Sequence, residues 1–598
     1  MPLLPVVASQ ALTHSARGAV AQSPARRVRP GDSSWPTETD WSKLKRVVEG
    51  RLIRIEPPFA ACPKDPNGAA CLEILNRLKN PYYIGDQPGL TQTSGWVDGW
   101  MSAPSVYAVA AAKVEDVVAA VNFAQEKNLR LVVKGGGHSY KGTSSSADSL
   151  LIWTRAMNEI VLHDAFVAQG CARIQKPQPA VTVGAGTIWK EAYDAVTTKA
   201  GRYVQGGGCT TVGVAGLVQS GGFGSFSKNY GMAAAALLQA EVVTADGTVR
   251  VANASVNPDL FWGLKGGGGG SLGVATKLTL RTRELPEYFG GVFGTIQARS
   301  DAACRRLIVR VVRFYEEQLF NRHWGEQIIF EPGNKVRISM VYQGLDRRQA
   351  EGIWQPLVDW VTGSPEEFSF REPLQVVDIP ARRFWDAAYL KKKFPQFIVV
   401  DDRPGAPEGN VFWAGDQGQV GHFLHGYRSA WLPASLLKRE SQGRLAEALF
   451  ASGQRWGVSL HFNKGLAGAG ADDLAAARDT ATNPAVLDAF ALAIIAGGGP
   501  PAFPGMTGPA PDLEEARRRA RVINVAMDEL LKIAPNPGSY VSESDFFERS
   551  WQQSFWGPNY AKLAAVKRRY DPTGLFFVHQ GVGSEEWSAD GFVRLAGR

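Results

Sequence analysis

The sequence predicts an α+β protein of two domains, and three observations predict it. At 598 residues the chain exceeds what one hydrophobic core serves. Two strand–helix–strand patterns follow one another between residues 106 and 204, and each runs directly into a glycine-rich loop. From about 285 to 520 the texture changes to longer strand and helix segments broken by Pro/Gly loops, ending near Gly497-Gly-Gly-Pro-Pro-Ala-Phe-Pro504.

The elements follow in order. Residues 1–36 are rich in Pro, Ser and Arg and are expected to be disordered or removed. Val106 to Ala112 reads as a strand, Val114 to Glu126 has helical apolar spacing, and Arg130 to Lys134 is a short buried strand. The second unit has strand Ala180 to Val183, helix Ile188 to Thr198 and an end at Tyr203. Leu238 to Thr244 and Thr248 to Ala252 flank Asp246-Gly247 as a hairpin, and Val274 to Thr282 is another strand. Glu514 to Leu531 is a charged helix, and the tail from Tyr540 is aromatic-rich.

Composition narrows the function classes. The chain is 44% hydrophobic and 20% charged, and it has no apolar run of membrane length. A net charge of +8 invites a nucleic-acid reading, but the basic clusters, Lys391–Lys393 and Arg517–Arg519, are short and read as solvated surface. Neither a nucleic acid nor a membrane is expected as partner. The five cysteines include no CxxC pair, so no metal site is expected. Cys62 and Cys71 bound a turn-rich loop that suits a disulfide or two separate thiols, and the sequence leaves both open. The apolar Leu3–Ala8 and the Ala19-Val-Ala21 site favour export to a periplasm or medium over a cytoplasmic location, although the leader is atypical.

The chemistry concentrates in Lys134-Gly-Gly-Gly-His138-Ser-Tyr140 and Gly206-Gly-Gly-Cys209-Thr-Thr-Val-Gly-Val-Ala-Gly216. Backbone stripped of side chains exposes N–H groups that cradle anions. Each loop also carries one nucleophile, so the pair predicts a phosphate-bearing cofactor gripped from two sides. Gly268-Gly-Gly-Ser-Leu-Gly273 fits GxGxxG, yet an alternating strand pattern follows it where a dinucleotide fingerprint needs a helix. No Walker A pattern exists.

These motifs, with Ser220-Gly-Gly-Phe-Gly224, Asp259-Leu-Phe-Trp262, Trp556-Gly-Pro-Asn-Tyr560, Val566 to Pro572 and Phe576 to Gln580, resemble the vanillyl-alcohol-oxidase superfamily. The berberine-bridge-enzyme-like branch is the nearer likeness, and within it the isoamyl-alcohol-oxidase-like members. The resemblance implies a two-subdomain PCMH-type FAD-binding domain at 37–284, with its core at about 101–284. It further implies an inserted substrate domain at 285–520, built as an antiparallel sheet plus helices, and a C-terminal segment at 521–598 that returns to the FAD domain.

It also implies FAD bound bicovalently, through the flavin 8α position at His138 and through C6 at Cys209. Lys134, Gly135, Gly136, Gly137, Ser139, Thr210, Thr211, Val212, Gly213, Gly216, Gly221, Gly222 and Val274 complete the expected cofactor set. Val212 stands at the branch's oxygen-gating position, where a small side chain favours O₂. The branch's catalytic Tyr-x-Asn-Tyr has its counterpart in Tyr540-Val-Ser-Glu543, and the substrate-domain strand Ala489–Ala496 offers no base. Glu543 is therefore expected as base, with Tyr540 orienting a small-molecule alcohol or sugar. A second polar set comprises His422, His425, Tyr427 and Arg428, with His461, Asn463 and Lys464; if the latter segment is a strand, His461 and Asn463 share one face. The expected function is alcohol oxidation yielding a carbonyl and H₂O₂. Oxidation of a sugar's anomeric hydroxyl, or noncatalytic flavin binding, are the alternatives.

Overall fold

The computed structural model describes residues 26–595. Three large sheets carry the chain, beside a two-stranded one of Ile398–Val400 and Val411–Trp413. The first orders its strands Leu52–Arg54, Tyr107–Ala110, Ser149–Trp153 and Arg130–Lys134. Helix Val114–Glu126 connects two strands that both pair in parallel with Ser149–Trp153, as a strand–helix–strand crossover requires. Its Val117, Ala120, Val121 and Ala124 are buried at helical spacing against this sheet, and Trp41 and Leu44 of helix Glu38–Val47 join them.

The second sheet runs Val249–Asn253, Leu237–Val243, Val274–Glu284, Gln178–Gly184 and Ile160–Phe166, all antiparallel. The expected hairpin over Asp246-Gly247 is its edge, with Val243 opposite Val249. The expected helix from Ile188 is an α-helix, Trp189–Tyr193, that widens into a π-helical turn over Asp194–Lys199. The residues after Gly268–Gly273 form strand Val274–Glu284, so the GxGxxG sits in a loop that ends in a strand.

The third sheet has nine strands and is antiparallel apart from one parallel pair, His422–Pro433 with Thr93–Trp96. Helices Asp301–Phe314, Arg347–Thr362, Arg439–Gly453 and Leu513–Leu531 pack on one face around Trp324, Ile328, Ile338, Leu449 and Ile523. Strands Thr93–Trp96 and Trp100–Met101 come from the N-terminal third, and helix Leu513–Leu531 continues across position 520. Both features stitch the substrate-side sheet to the flanking chain.

The part of the expected leader that is described is anchored. Arg27 is buried, its guanidinium lies over Trp587, and it donates to the carbonyl oxygens of Gly574 and, at 3.2 Å, Leu575. The expected disorder over 26–36 is thus corrected: the C-terminal segment supplies these residues with carbonyl acceptors and an aromatic face. Residues 1–25, with the leader motif, lie outside the described residues. Cys62 and Cys71 form a disulfide. No helix is long and apolar enough to cross a membrane, and no metal-binding cluster of acidic, His or Cys residues occurs among the described residues.

Candidate active site

One cavity of about 1140 Å³ lies where the three sheets meet. The first glycine loop enters it from the end of strand Arg130–Lys134 and the second from the turn after Arg202–Val204. They touch each other: a Cβ on Gly136 would stand 2.6 Å from the Gly213 nitrogen and 2.7 Å from the Thr211 carbonyl oxygen. Only glycine admits that approach. His138 Nε2 lies 2.9 Å from Thr211 Oγ1, so the imidazole of one loop bonds the other. Burial, helped by His422, lowers His138 to about 3, leaving a neutral ring. Burial pushes the Cys209 thiol up, against a small opposing pull from Lys464.

The cavity has the shape and donors that FAD needs. The backbone N–H groups of Gly136 to Ser139 have no acceptor among the described residues and form an anion-binding concavity. Gly208 and Gly216 face open space, where an added Cβ meets nothing within 4 Å. Ser144 Oγ and Ser271 Oγ are buried on the wall without a partner. Such atoms imply a ligand that satisfies them. FAD, when bound, supplies a two-electron acceptor ring.

Among the expected cofactor residues, Gly135, Gly136, Gly137, His138, Ser139, Cys209, Thr211, Val212, Gly213, Gly216 and Val274 line the cavity. Four do not. Lys134 is fully buried and donates to the carbonyl oxygens of Gln87 at 2.6 Å and Leu90 at 2.5 Å; its ammonium supports the loop from behind, and burial lowers it to about 7. Thr210 is buried off the wall. Gly221 and Gly222 make a turn with φ of +105° and +65°, and the Gly222 backbone supports the Tyr540 hydroxyl.

Glu543 and Tyr540 both reach the cavity. They pair across a tight turn, and Ser429 Oγ donates to the Glu543 carbonyl at 2.5 Å. Lys464 Nζ grips both Glu543 carboxylate oxygens, at 2.6 and 2.5 Å. Burial, with the Glu543 charge second, pushes the Tyr540 phenol up. From the second polar set, Tyr427, His461, Asn463 and Lys464 line the wall, while His422, His425 and Arg428 do not. The shared strand face expected for His461 and Asn463 is corrected: the strand ends at His461, and Phe462–Lys464 is a 3₁₀ turn. Lys228 holds that turn, donating to the carbonyl oxygens of Phe462, Gly465 and Phe490 at 2.5, 2.8 and 3.0 Å.

The sequence reading passed over three carboxyl groups on the wall, Glu326, Glu372 and Asp416. Asp416 sits near the Cys209 thiol, and burial pushes its carboxyl up to about 6. It belongs to a segment that also brings Trp413 in, whose indole donates to the Gly208 carbonyl at 3.0 Å. Its polar, glycine-rich texture reads as loop, and only the fold returns it to Cys209. With Phe384, Trp385, Phe394 and Phe397, Trp413 makes an aromatic flank.

Comparison with known proteins matches these features. An FAD binding domain model covers residues 105–253, and a berberine and berberine-like model covers 539–583. The FAD-linked oxidoreductase malF of Malbranchea aurantiaca is 31% identical over 95% of this chain and 94% of its own length. The crystal structure of the VAO-type flavoprotein MtVAO615 from Myceliophthora thermophila superposes with a TM-score of 0.77 at 26% identity, over 96% of this chain and 100% of that one. Glucooligosaccharide oxidase from Acremonium strictum, which carries 6-S-cysteinyl, 8α-N1-histidyl FAD, shares the fold, with a TM-score of 0.59 at 18% identity over 86% of this chain and 98% of its own. The paired glycine loops, the cavity between them and these matches together place the chain among the FAD-dependent oxidoreductases of the vanillyl-alcohol-oxidase superfamily, in its berberine-bridge-enzyme-like branch.

Proposed function

We propose that the protein is an alcohol oxidase that converts a CH–OH group to a carbonyl and passes the electrons to O₂, giving H₂O₂, with FAD tethered at both His138 and Cys209. The observation that carries this reading is one cavity lined both by the two nucleophiles and by Glu543, Tyr540 and Tyr427. His138 and Cys209 are the residue types named for the two flavin linkages of the Acremonium enzyme. A neutral imidazole, which burial supplies at His138, is the nucleophilic form.

At the reacting end, Glu543 accepts the hydroxyl proton and Tyr540 orients the hydroxyl by hydrogen bonding. Lys464 and Ser429 fix the position of Glu543, and fixed groups near reacting atoms cost no reorganisation. The tethers fix the ring in the same way. Val212, small and on the wall, leaves room for O₂.

A second reading, a carbohydrate oxidase, is favoured by the aromatic flank, because sugar faces stack on such rings, and by two fold neighbours, a chitooligosaccharide oxidase and the carbohydrate oxidase of Microdochium nivale. A peroxide-coupled screen of aliphatic alcohols, benzylic alcohols and oligosaccharides separates the two. Peroxide from simple alcohols is expected. Peroxide from oligosaccharides alone selects the second reading. Anaerobic bleaching of the yellow colour by an alcohol, with no peroxide in air, overturns the assignment of O₂ as acceptor.

The disulfide Cys62–Cys71 supports export to an oxidising compartment, which is part of this proposal.

A further inference from the structure

Alternation along strand Trp324–Glu331 sends residues 324, 326, 328 and 330 to one face. Trp324, Ile328 and Phe330 obey it and lie in the core beneath the helices. Glu326 does not. Its φ is +62°, in the left-handed region that L side chains rarely adopt, and its carboxyl bonds Ser225 Oγ on the cavity wall instead. Gly325 permits this: a Cβ there would fall 1.6 Å from the Ser225 carbonyl oxygen and 3.4 Å from Asn463 Cβ. The strand is thus pressed against the loop that follows the second glycine segment, and backbone strain is maintained to bring one carboxyl to the site.

The charges around Glu326 explain what it does there. Lys464 and Glu543 line the same cavity, Lys464 on the 3₁₀ turn that follows His461, which pairs with Gln327, and Glu543 on the C-terminal segment; Ser225 bonds Glu326 from the loop. Burial pushes its carboxyl up, Ser225 and Lys464 oppose that, and the Glu543 charge adds to it. Beside these two carboxyl groups the Lys464 ammonium is bidentate on Glu543, while Glu326 has no ion pair among the described residues.

We propose that Glu326 is a positioning residue of the proton-transfer step: the alternate partner of the Lys464 ammonium, engaged when Glu543 receives the substrate proton. This rests on the reading of Glu543 as proton acceptor. The substrate O–H bond breaks, the Glu543 carboxylate gains that proton and becomes neutral, and Lys464 turns to the Glu326 carboxylate. Only the hydroxyl proton is added to these groups, so charge balances within them. Without Glu326, the same step leaves a partly buried ammonium unpaired, and breaking such a pair is strongly unfavourable.

Infrared difference spectra of the holoenzyme across a pH titration test this without a substrate. The Glu326 carboxyl is identified as the band lost in Glu326→Gln. In Glu543→Gln that band is expected at lower pH, because a like charge is gone and Lys464 is free; in Lys464→Met it is expected at higher pH. A Glu326 band that titrates at the same pH in wild type and both variants overturns the proposal. Glu326→Gly relieves the left-handed backbone and is expected to raise the melting temperature; a fall would show that the carboxyl serves the fold, against the proposal. Wild-type turnover of a simple alcohol by Glu543→Gln, with the titrations still coupled, would instead remove Glu543 as acceptor, so the two failures are distinguishable.

Discussion

At His138 and Cys209, burial acts in opposite senses on two nucleophiles. It lowers the imidazole to about 3, which keeps it uncharged and nucleophilic, and it raises the thiol, which keeps it protonated. The proposed bond from this thiol to flavin therefore needs a proton acceptor, and Asp416 is the carboxyl beside it. At Glu543 the bidentate Lys464 contact fixes orientation more firmly than one hydrogen bond does. Glu543→Gln keeps the shape and removes the proton acceptor. Flavin reduction measured by anaerobic stopped flow should slow by about 10²-fold or more, the usual contribution of a positioned base. Near-wild-type reduction would remove Glu543 from the chemistry.

Loops do at the element scale what no single side chain achieves. The two glycine segments are in backbone contact at Gly136 and Gly213, with Lys134 behind the first. Gly136→Ala places its methyl carbon 2.6 Å from one backbone nitrogen and 2.7 Å from one carbonyl oxygen, neither of which is a flexible side-chain end. Separation of the loops is the only relief. The variant should lose most bound flavin while its far-ultraviolet circular dichroism stays native-like, and stoichiometric flavin in Gly136→Ala would contradict the loop contact. The same scale shows why Lys134 misleads in sequence. A lysine ahead of three glycines reads as an anion ligand, but it is the last residue of a buried strand whose side chain turns to the Gln87 and Leu90 carbonyls.

Across the whole molecule, what the sequence reveals is set by how local the cause is. Helix Val114–Glu126 and strand Arg130–Lys134 are read with the same bounds that the structure has, because apolar spacing within each segment decides them. The placement of His138 and Cys209 on one cavity is likewise legible, since each glycine loop directly follows its strand. Glu326 is illegible: strand parity groups it with Trp324 and Ile328, and only a positive φ sends it elsewhere. Asp416 and the aromatic flank depend on a long connection folding back, which no local pattern encodes. The anchoring of residues 26–36 depends on the C-terminal segment, more than five hundred residues away by separations of 547 and 548. Those distant closures bring the sheets together around the cavity, so the proposed double tether of the flavin is a property of the assembled chain. Its most direct test is to precipitate the purified protein in acid and map flavin on tryptic peptides by mass spectrometry. Yellow colour should stay with the pellet, with flavin on the peptides of both His138 and Cys209 in wild type and on one alone in His138→Ala or Cys209→Ala. A colourless pellet, with all flavin in the supernatant, would contradict the double tether.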